Sequence, residues 1–243
     1  MWEKIRGFLC RNCVNFLILA VIAAVYVATM TPQVRAVFYQ RENEPVYHGP
    51  DVPYASITCN VYQGGEYIEP MLQILKEYDA RITWNLGGLF VRDNADLVRS
   101  IAAAGHELGN HGDMHLQHST LSYEQNVSEI QACHEAVVQA VGIRMNIFAP
   151  PSGDYSDTTI QAARDLGYTS IMWSADTIDW RDQDVGLILS RVQEKMDDGG
   201  ILLIHPTQAT LEALPQILEI LQEEKGLQIV PVGELLQMQE DQA

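Results

Sequence analysis

From Tyr54 onward, short apolar or β-branched runs alternate with longer stretches whose apolar residues recur at helical spacing. ASITCNV (55–61) precedes an amphipathic stretch from Tyr67 to Tyr78, in which Met71, Leu72, Ile74 and Leu75 share one side. RITWNL (81–86) precedes a helix near 95–104, HELGNH (106–111) one near 123–141, and NIFAP (146–150) one near 158–166. TSIMWS (169–174) leads to a helix near 185–196, GILLIH (200–205) to one near 211–223, and LQIVPV (227–232) closes the series. Gly105, Gly142, Gly167, Gly199 and Gly226 stand where those helices end.

Parallel neighbours need a crossover, so this alternation implies a parallel sheet with covering helices. Seven strand–helix units within residues 54–243 predict an α/β fold, an irregular (β/α)7-type barrel, with a doubly wound open sheet as the alternative. Either architecture gathers functional groups where strands end and the next loops begin. The residues at those ends are Asn60, His111, Ala149, the run Trp173 to Asp179, and His205.

The pattern changes at the N-terminus. CVNFLILAVIAAVYVATM (13–30) is eighteen residues without a charge, near the shortest length that spans a hydrocarbon core. Lys4, Arg6 and Arg11 precede it, which puts the basic segment 1–12 in the cytoplasm and the rest outside. No small-x-small site closes the run, so an uncleaved signal anchor is expected at the cell membrane, followed by a proline-containing stalk over 31–53 and the barrel domain over 54–243. Cys10 and Cys13 form an isolated CxxC pair, and Cys59 and Cys133 fall in a strand and a helix with nothing to suggest that they pair.

Composition narrows the function classes. With 47% apolar and 19% charged residues the chain is neither a disordered tail nor a disulfide scaffold. Lys and Arg number 15 against 32 Asp and Glu, a net charge of −17. Residues 1–35 hold four of the bases and one of the acids, leaving 11 bases against 31 acids, net −20, on residues 36–243. Such a domain repels phosphate backbones, and no nucleic-acid partner is expected.

NHGDMH (110–115) sets His111 and His115 four residues apart after the third predicted strand, the spacing by which one helical turn supplies two metal ligands. Two solvent-facing histidines are the alternative. His118 and His106 lie nearby, His106 inside the strand and expected to serve structure, while Asp113 stands between the pair. His205 ends the sixth predicted strand, and Asp179 in WSADTIDW (173–180) falls at another; a carboxylate beside that imidazole would orient it as a proton donor.

These pieces, in this order, resemble the polysaccharide deacetylase family (carbohydrate esterase family 4, the NodB-like domain), metal-dependent N- or O-deacetylases on an irregular (β/α) barrel. GHELGNHGDMH (105–115) is similar to the family's G-H-E-x-x-N-H-S-x-x-H, WSADTIDW to its fourth motif, and LLIHPTQATLEALPQIL (202–218) to its fifth. The resemblance runs from Ala55 to Leu236 and implies His111 and His115 as metal ligands, with zinc the expected divalent ion, and His205 with Asp179 as the acid side. It also implies an N-acetylated polysaccharide, such as peptidoglycan, as partner.

The first motif departs from the family's T-F-D-D, where the first Asp is the general base and the second a metal ligand. Thr58, Cys59, Asn60 and Val61 stand there, so the base position holds an amide and the ligand position an isopropyl group. In the third motif, R-x-P-Y is replaced by APPS, with Ala149 for the Arg that orients the base and Ser152 for the Tyr, whose backbone N–H still suits an oxyanion. Glu66 in YQGGEY (62–67) is the candidate replacement ligand, a surface acid being the alternative, and Asp113 is a second possible base. Trp180, Trp173 and Tyr155 are candidates to floor a sugar groove, with barrel packing as the alternative. FAPPSGDYS and the anchor resemble the sporulation-associated branch of the family. Two functions stay open: a weakened metal-dependent deacetylase, and an inactive domain that binds glycan or a protein partner at the cell or spore surface.

Overall fold

The computed structural model describes residues 44–238. The expected anchor at 13–30, the segment 1–12 and the stalk up to residue 43 lie outside the described residues. Among the described residues no helix is long and apolar enough to cross a membrane.

Among the described residues eight strands, not seven, build one parallel sheet: β1 (Tyr54–Val61), β2 (Thr83–Leu86), β3 (Glu107–Asn110), β4 (Ile147–Phe148), β5 (Thr169–Ser170), β6 (Ala175–Asp176), β7 (Ile201–Ile204) and β8 (Gln228–Ile229). Their order is β5-β4-β3-β2-β1-β7-β6, with β8 paired to the start of β1. The path ends at β5 on one side and β6 on the other, so the sheet is a curled, open barrel. The helices are α1 (Gly65–Glu77), α2 (Gly88–Asp93), α3 (Ala95–Ala103), α4 (Tyr123–Val141), α5 (Asp157–Asp165), α6 (Asp179–Asp182), α7 (Val185–Lys195), α8 (Gln208–Glu219) and α9 (Val232–Gln237). The longest, α4, starts on a reciprocal cap between Ser122 and Gln125 and ends at Gly142 with φ of 76°.

Alternation along β1 separates two environments. Ala55, Ile57, Cys59 and Val61 join the apolar core under the helices, while Ser56, Thr58 and Asn60 are buried on the other face. In β2, Trp84 and Leu86 take the core side and Thr83 and Asn85 the inner side. The inner face is therefore polar, and its groups must find partners. Ser56 Oγ donates to the Val230 carbonyl (2.7 Å), Thr83 Oγ1 to Glu107 (2.6 Å), and Asn85 Nδ2 to Thr58 Oγ1 (2.6 Å).

The domain also begins sooner than expected. Val46 bridges Ile171 in parallel, its N–H donating to the Ser170 carbonyl (2.9 Å) and its carbonyl accepting from Met172 (2.7 Å). Gly49 N–H reaches the Gly199 carbonyl at 2.8 Å. Residues 45–53 are thus part of the folded unit, and the expected stalk cannot extend to residue 53.

Candidate functional site

The C-terminal ends of the strands surround a cavity of about 490 Å³ lined by Asn60, His111, His115, Ser152, Trp180 and His205, together with Tyr62, Trp173 and Asp176. Most of the residues marked out by the sequence, Trp173 included, therefore meet in one place.

His111 follows β3 directly. Its Nδ1 lies 2.7 Å from the Ala149 carbonyl, an acceptor only, so Nδ1 carries the hydrogen and Nε2 keeps a lone pair. Burial, with His115 as neighbour, lowers its pKa to about 3 against the contrary pull of that carbonyl. His115 comes alongside, ring centroids 5.2 Å apart, although 111–117 forms no helical turn. Two left-handed residues, Gly112 (φ 69°) and His115 itself (φ 54°), fold the segment back instead. Burial also lowers the His115 pKa.

Asp179 and His205 meet as expected, and Asp179 is fully buried. Asp179 is not at a strand end: it opens α6 after Ile178, whose φ of 53° makes the sharp turn out of β6. Its Oδ1 accepts from His205 Nδ1 (2.8 Å) and the Trp180 N–H (2.9 Å), and its Oδ2 from the His205 N–H (2.7 Å) and from Thr210 Oγ1. Burial alone would raise this carboxyl's pKa; the donors from His205 and Thr210 outweigh it and hold it below the ordinary value. The anion therefore fixes His205 Nδ1 as the protonated nitrogen.

At the tip of β1, Asn60 faces the cavity and is paired in register with Asn85 of β2. Asn85 Nδ2 donates to Asn60 Oδ1 at 2.8 Å. Val61 points the other way, fully buried with Ile57 and Cys59. Ala149 is buried against Ile147 and Ile171.

Three expectations are corrected. Glu66 is exposed in the first turn of α1 and lines a different cavity, with Glu69, Asp93 and Leu97, so it is not brought to the histidine pair. Gly64 (φ 79°) lies so close to the Pro206 carbonyl that a Cβ would be 2.1 Å from it. Asp113 is engaged by Arg92 at 2.6 Å and lines no part of the cavity that holds the histidine pair. Tyr155 shares a hydrogen bond with Tyr47 (2.8 Å) outside the cavity, whereas Trp173 lines it and Trp180 does so while 57% exposed. His106 is structural, accepting the Ile82 N–H at 3.1 Å. Sequence reasoning missed Asn85 and Tyr62, whose ring centroid lies 4.8 Å from that of His115.

A divalent metal does not fit this donor set. Zinc centres use three protein ligands or more; here two imidazoles are joined by an amide and, behind it, a methyl-bearing core residue. Among the described residues no group of three or more His, Cys, Asp and Glu could hold a metal ion.

A curled parallel sheet with two histidines after its third strand and an Asp–His couple across the cavity defines a deacetylase-type α/β domain. The chain belongs to the polysaccharide deacetylase family, whose sequence profile matches residues 51–171. It is 32% identical over 176 residues to a peptidoglycan-N-acetylglucosamine deacetylase of Bacillus cereus, covering 70% of this chain and 82% of that one. It is 36% identical over 194 residues to the uncharacterized protein YlxY of Bacillus subtilis, covering 79% of this chain and 60% of that protein's length. Among solved structures, wild-type BA3943 of Bacillus anthracis, described as a CE4 family pseudoenzyme, superposes with a TM-score of 0.77 at 35% identity, covering 80% of this chain and 69% of that one. A mutant of BA3943 described as having restored enzymatic activity aligns with the same TM-score of 0.77 at 33% identity, covering 80% of this chain and 71% of that one.

Proposed function

We propose that this protein is a catalytically silent member of the polysaccharide deacetylase family that binds N-acetylated cell-wall glycan, held by its N-terminal segment at the outer face of the cell membrane. The observation that carries the reading is the tip of β1: the amide of Asn60 stands where the reaction needs a base, and the Val61 side chain is in the core. An amide does not take a proton from water near neutral pH, and general base catalysis contributes about 100- to 10,000-fold. The description of BA3943 as a pseudoenzyme supports the same reading for this chain. The apolar run 13–30 with its preceding bases supports the membrane placement, and the family resemblance supports a cell-wall or spore-envelope setting.

A slow deacetylase is the second reading, and the intact Asp179–His205–Thr210 arrangement favours it, since that couple can protonate a leaving amine. The deciding experiment measures bound metal and acetate release from N-acetylglucosamine oligomers by the purified full-length protein, with and without added zinc or cobalt. The expected result is no metal and no acetate above the blank. Release that disappears in His111→Ala would replace this reading with the enzyme.

A further inference from the structure

We propose that Asn60 makes the cavity a metal-independent receptor for the acetamido group, its Nδ2 donating to the acetyl carbonyl oxygen while Asn85 acts as the positioning residue. The inference rests on the glycan-binding reading above and adds to it a residue, an atom and a selectivity.

The direction of the Asn60 amide follows from its neighbours. Asn85 Nδ2 reaches two acceptors, Thr58 Oγ1 at 2.6 Å and Asn60 Oδ1 at 2.8 Å, so both of its hydrogens are used. The Asn85 oxygen is buried without a partner against Gly109, where a Cβ would lie 2.1 Å from it. Turning the Asn85 amide over would put two N–H groups into that closed space instead, and orphaned N–H groups are the rarer and costlier case. Asn60 Oδ1 is therefore the acceptor inside the barrel, and its Nδ2, with no protein partner among the described residues, belongs to the cavity side. Asn60 lines the cavity and is only 5% exposed, so that donor opens into the cavity rather than onto the outer surface.

Across the same cavity His111 is committed through Nδ1 to the Ala149 carbonyl, which leaves an acceptor at Nε2. One donor and one acceptor facing a common space match a secondary amide, which has one C=O and one N–H. Trp173 and Trp180 supply apolar faces for a pyranose ring and its methyl group. A de-N-acetylated amino sugar presents an ammonium that only donates, and leaves Asn60 unpaired; sites built to hydrogen-bond a group reject ligands that lack it. An aspartate in place of Asn60 would set lone pairs against the acetyl carbonyl. The exchange of carboxylate for amide thus turns the strand tip from an acceptor into a donor.

Isothermal titration of the full-length protein in EDTA, with chitotetraose in its fully N-acetylated and fully de-N-acetylated forms, tests this. The wild type should bind the acetylated tetramer about tenfold or more tightly than the amine form. Asn60→Asp should weaken the acetylated tetramer by about tenfold and close or invert the preference, because a carboxylate attracts the ammonium. Asn60→Leu, which adds no charge to the barrel, should lose the preference without inverting it. Asn85→Asp, an acceptor toward Asn60, should turn the Asn60 amide over and act like Asn60→Asp; thermal melts confirm that each variant is folded. Equal wild-type affinity for the two tetramers, an unchanged preference in Asn60→Asp and Asn60→Leu, or binding that appears only with zinc would overturn the inference while the glycan reading stands. No binding of either tetramer would overturn both.

Discussion

Val61→Asp puts back the second carboxylate of the first motif, and the structure predicts what that change does by itself. Val61 is fully buried, packs with Ile57 and Cys59 on the helix side of β1, and accepts the Gly87 N–H through its carbonyl at 2.9 Å, which locks the strand out to this residue. An aspartate side chain is close to valine in volume, so cavity and overpacking costs are small. The cost is the charge: burial in apolar surroundings raises a carboxyl pKa by up to about 3–5 units. The variant therefore folds with the introduced carboxyl protonated at neutral pH, and each pH unit above the unfolded-state value near 3.9 costs about 1.4 kcal/mol. A raised carboxyl pKa gives stability that is present at low pH and lost as pH rises. The loss relative to wild type should be about 4 kcal/mol at pH 7 and about 1.5 kcal/mol at pH 5. Urea unfolding of wild type and variant at the two pH values measures both. A loss that does not change with pH, or one under about 1 kcal/mol at pH 7, refutes the placement of position 61 in the core.

Two further outcomes follow from buried groups. His106 accepts the Ile82 N–H, and burial, with Arg81 nearby, lowers its pKa to about 4. The unfolded chain takes up that proton from about pH 6.5 downward, so stability is full above that value and falls toward pH 4. His106→Asn, whose Oδ1 can still accept from Ile82, should remove about 2 kcal/mol of the wild-type loss between pH 7.5 and pH 5 in urea titrations, and equal slopes would count against the assignment. Asp179→Asn leaves one oxygen for donors that arrive at two, and should cost about 3 kcal/mol of unfolding free energy and expose the His205 Nδ1 proton to solvent exchange by NMR; a retained, slowly exchanging proton would refute the role given to the carboxylate.

The alternation of strands and helices was legible because each crossover helix carries a 3.6-residue pattern, and α4 begins and ends where Tyr123 and Val141 predict. β6 was not legible, since two residues cannot display a period. The run TSIMWS is strand at its first two residues, and its third, Ile171, bridges Val46 from a segment read as stalk. The histidine spacing was informative for a different reason from the expected one: two left-handed residues, not a helical turn, bring the rings together. Glu66 failed because α1 starts at Gly65 and its first turn faces the neighbouring cavity. Asn85 did carry a signal, a polar residue two positions after Thr83 as Asn60 is two after Thr58, and the period of two puts both pairs on one inner face.

The substitutions are coupled through burial as well as chemistry. Ala149 is 1% exposed between Ile147 and Ile171, and its carbonyl holds the His111 tautomer. An Arg at this buried position needs an anion as partner, and without one it would be a buried unpaired charge, a penalty of about 3–5 kcal/mol when one partner of such a pair is missing. With an amide at position 60, Ala149→Arg should be destabilising on its own, whereas the small native residue carries no such cost. Asn60 and Ala149 are both neutral, and Ala149→Arg should be tolerated better together with Asn60→Asp than alone, because the pair then compensates its charge. A barrel with that neutral pair retains the cavity, the His111 and His205 tautomers fixed through Nδ1, and the exposed Trp180 at its rim.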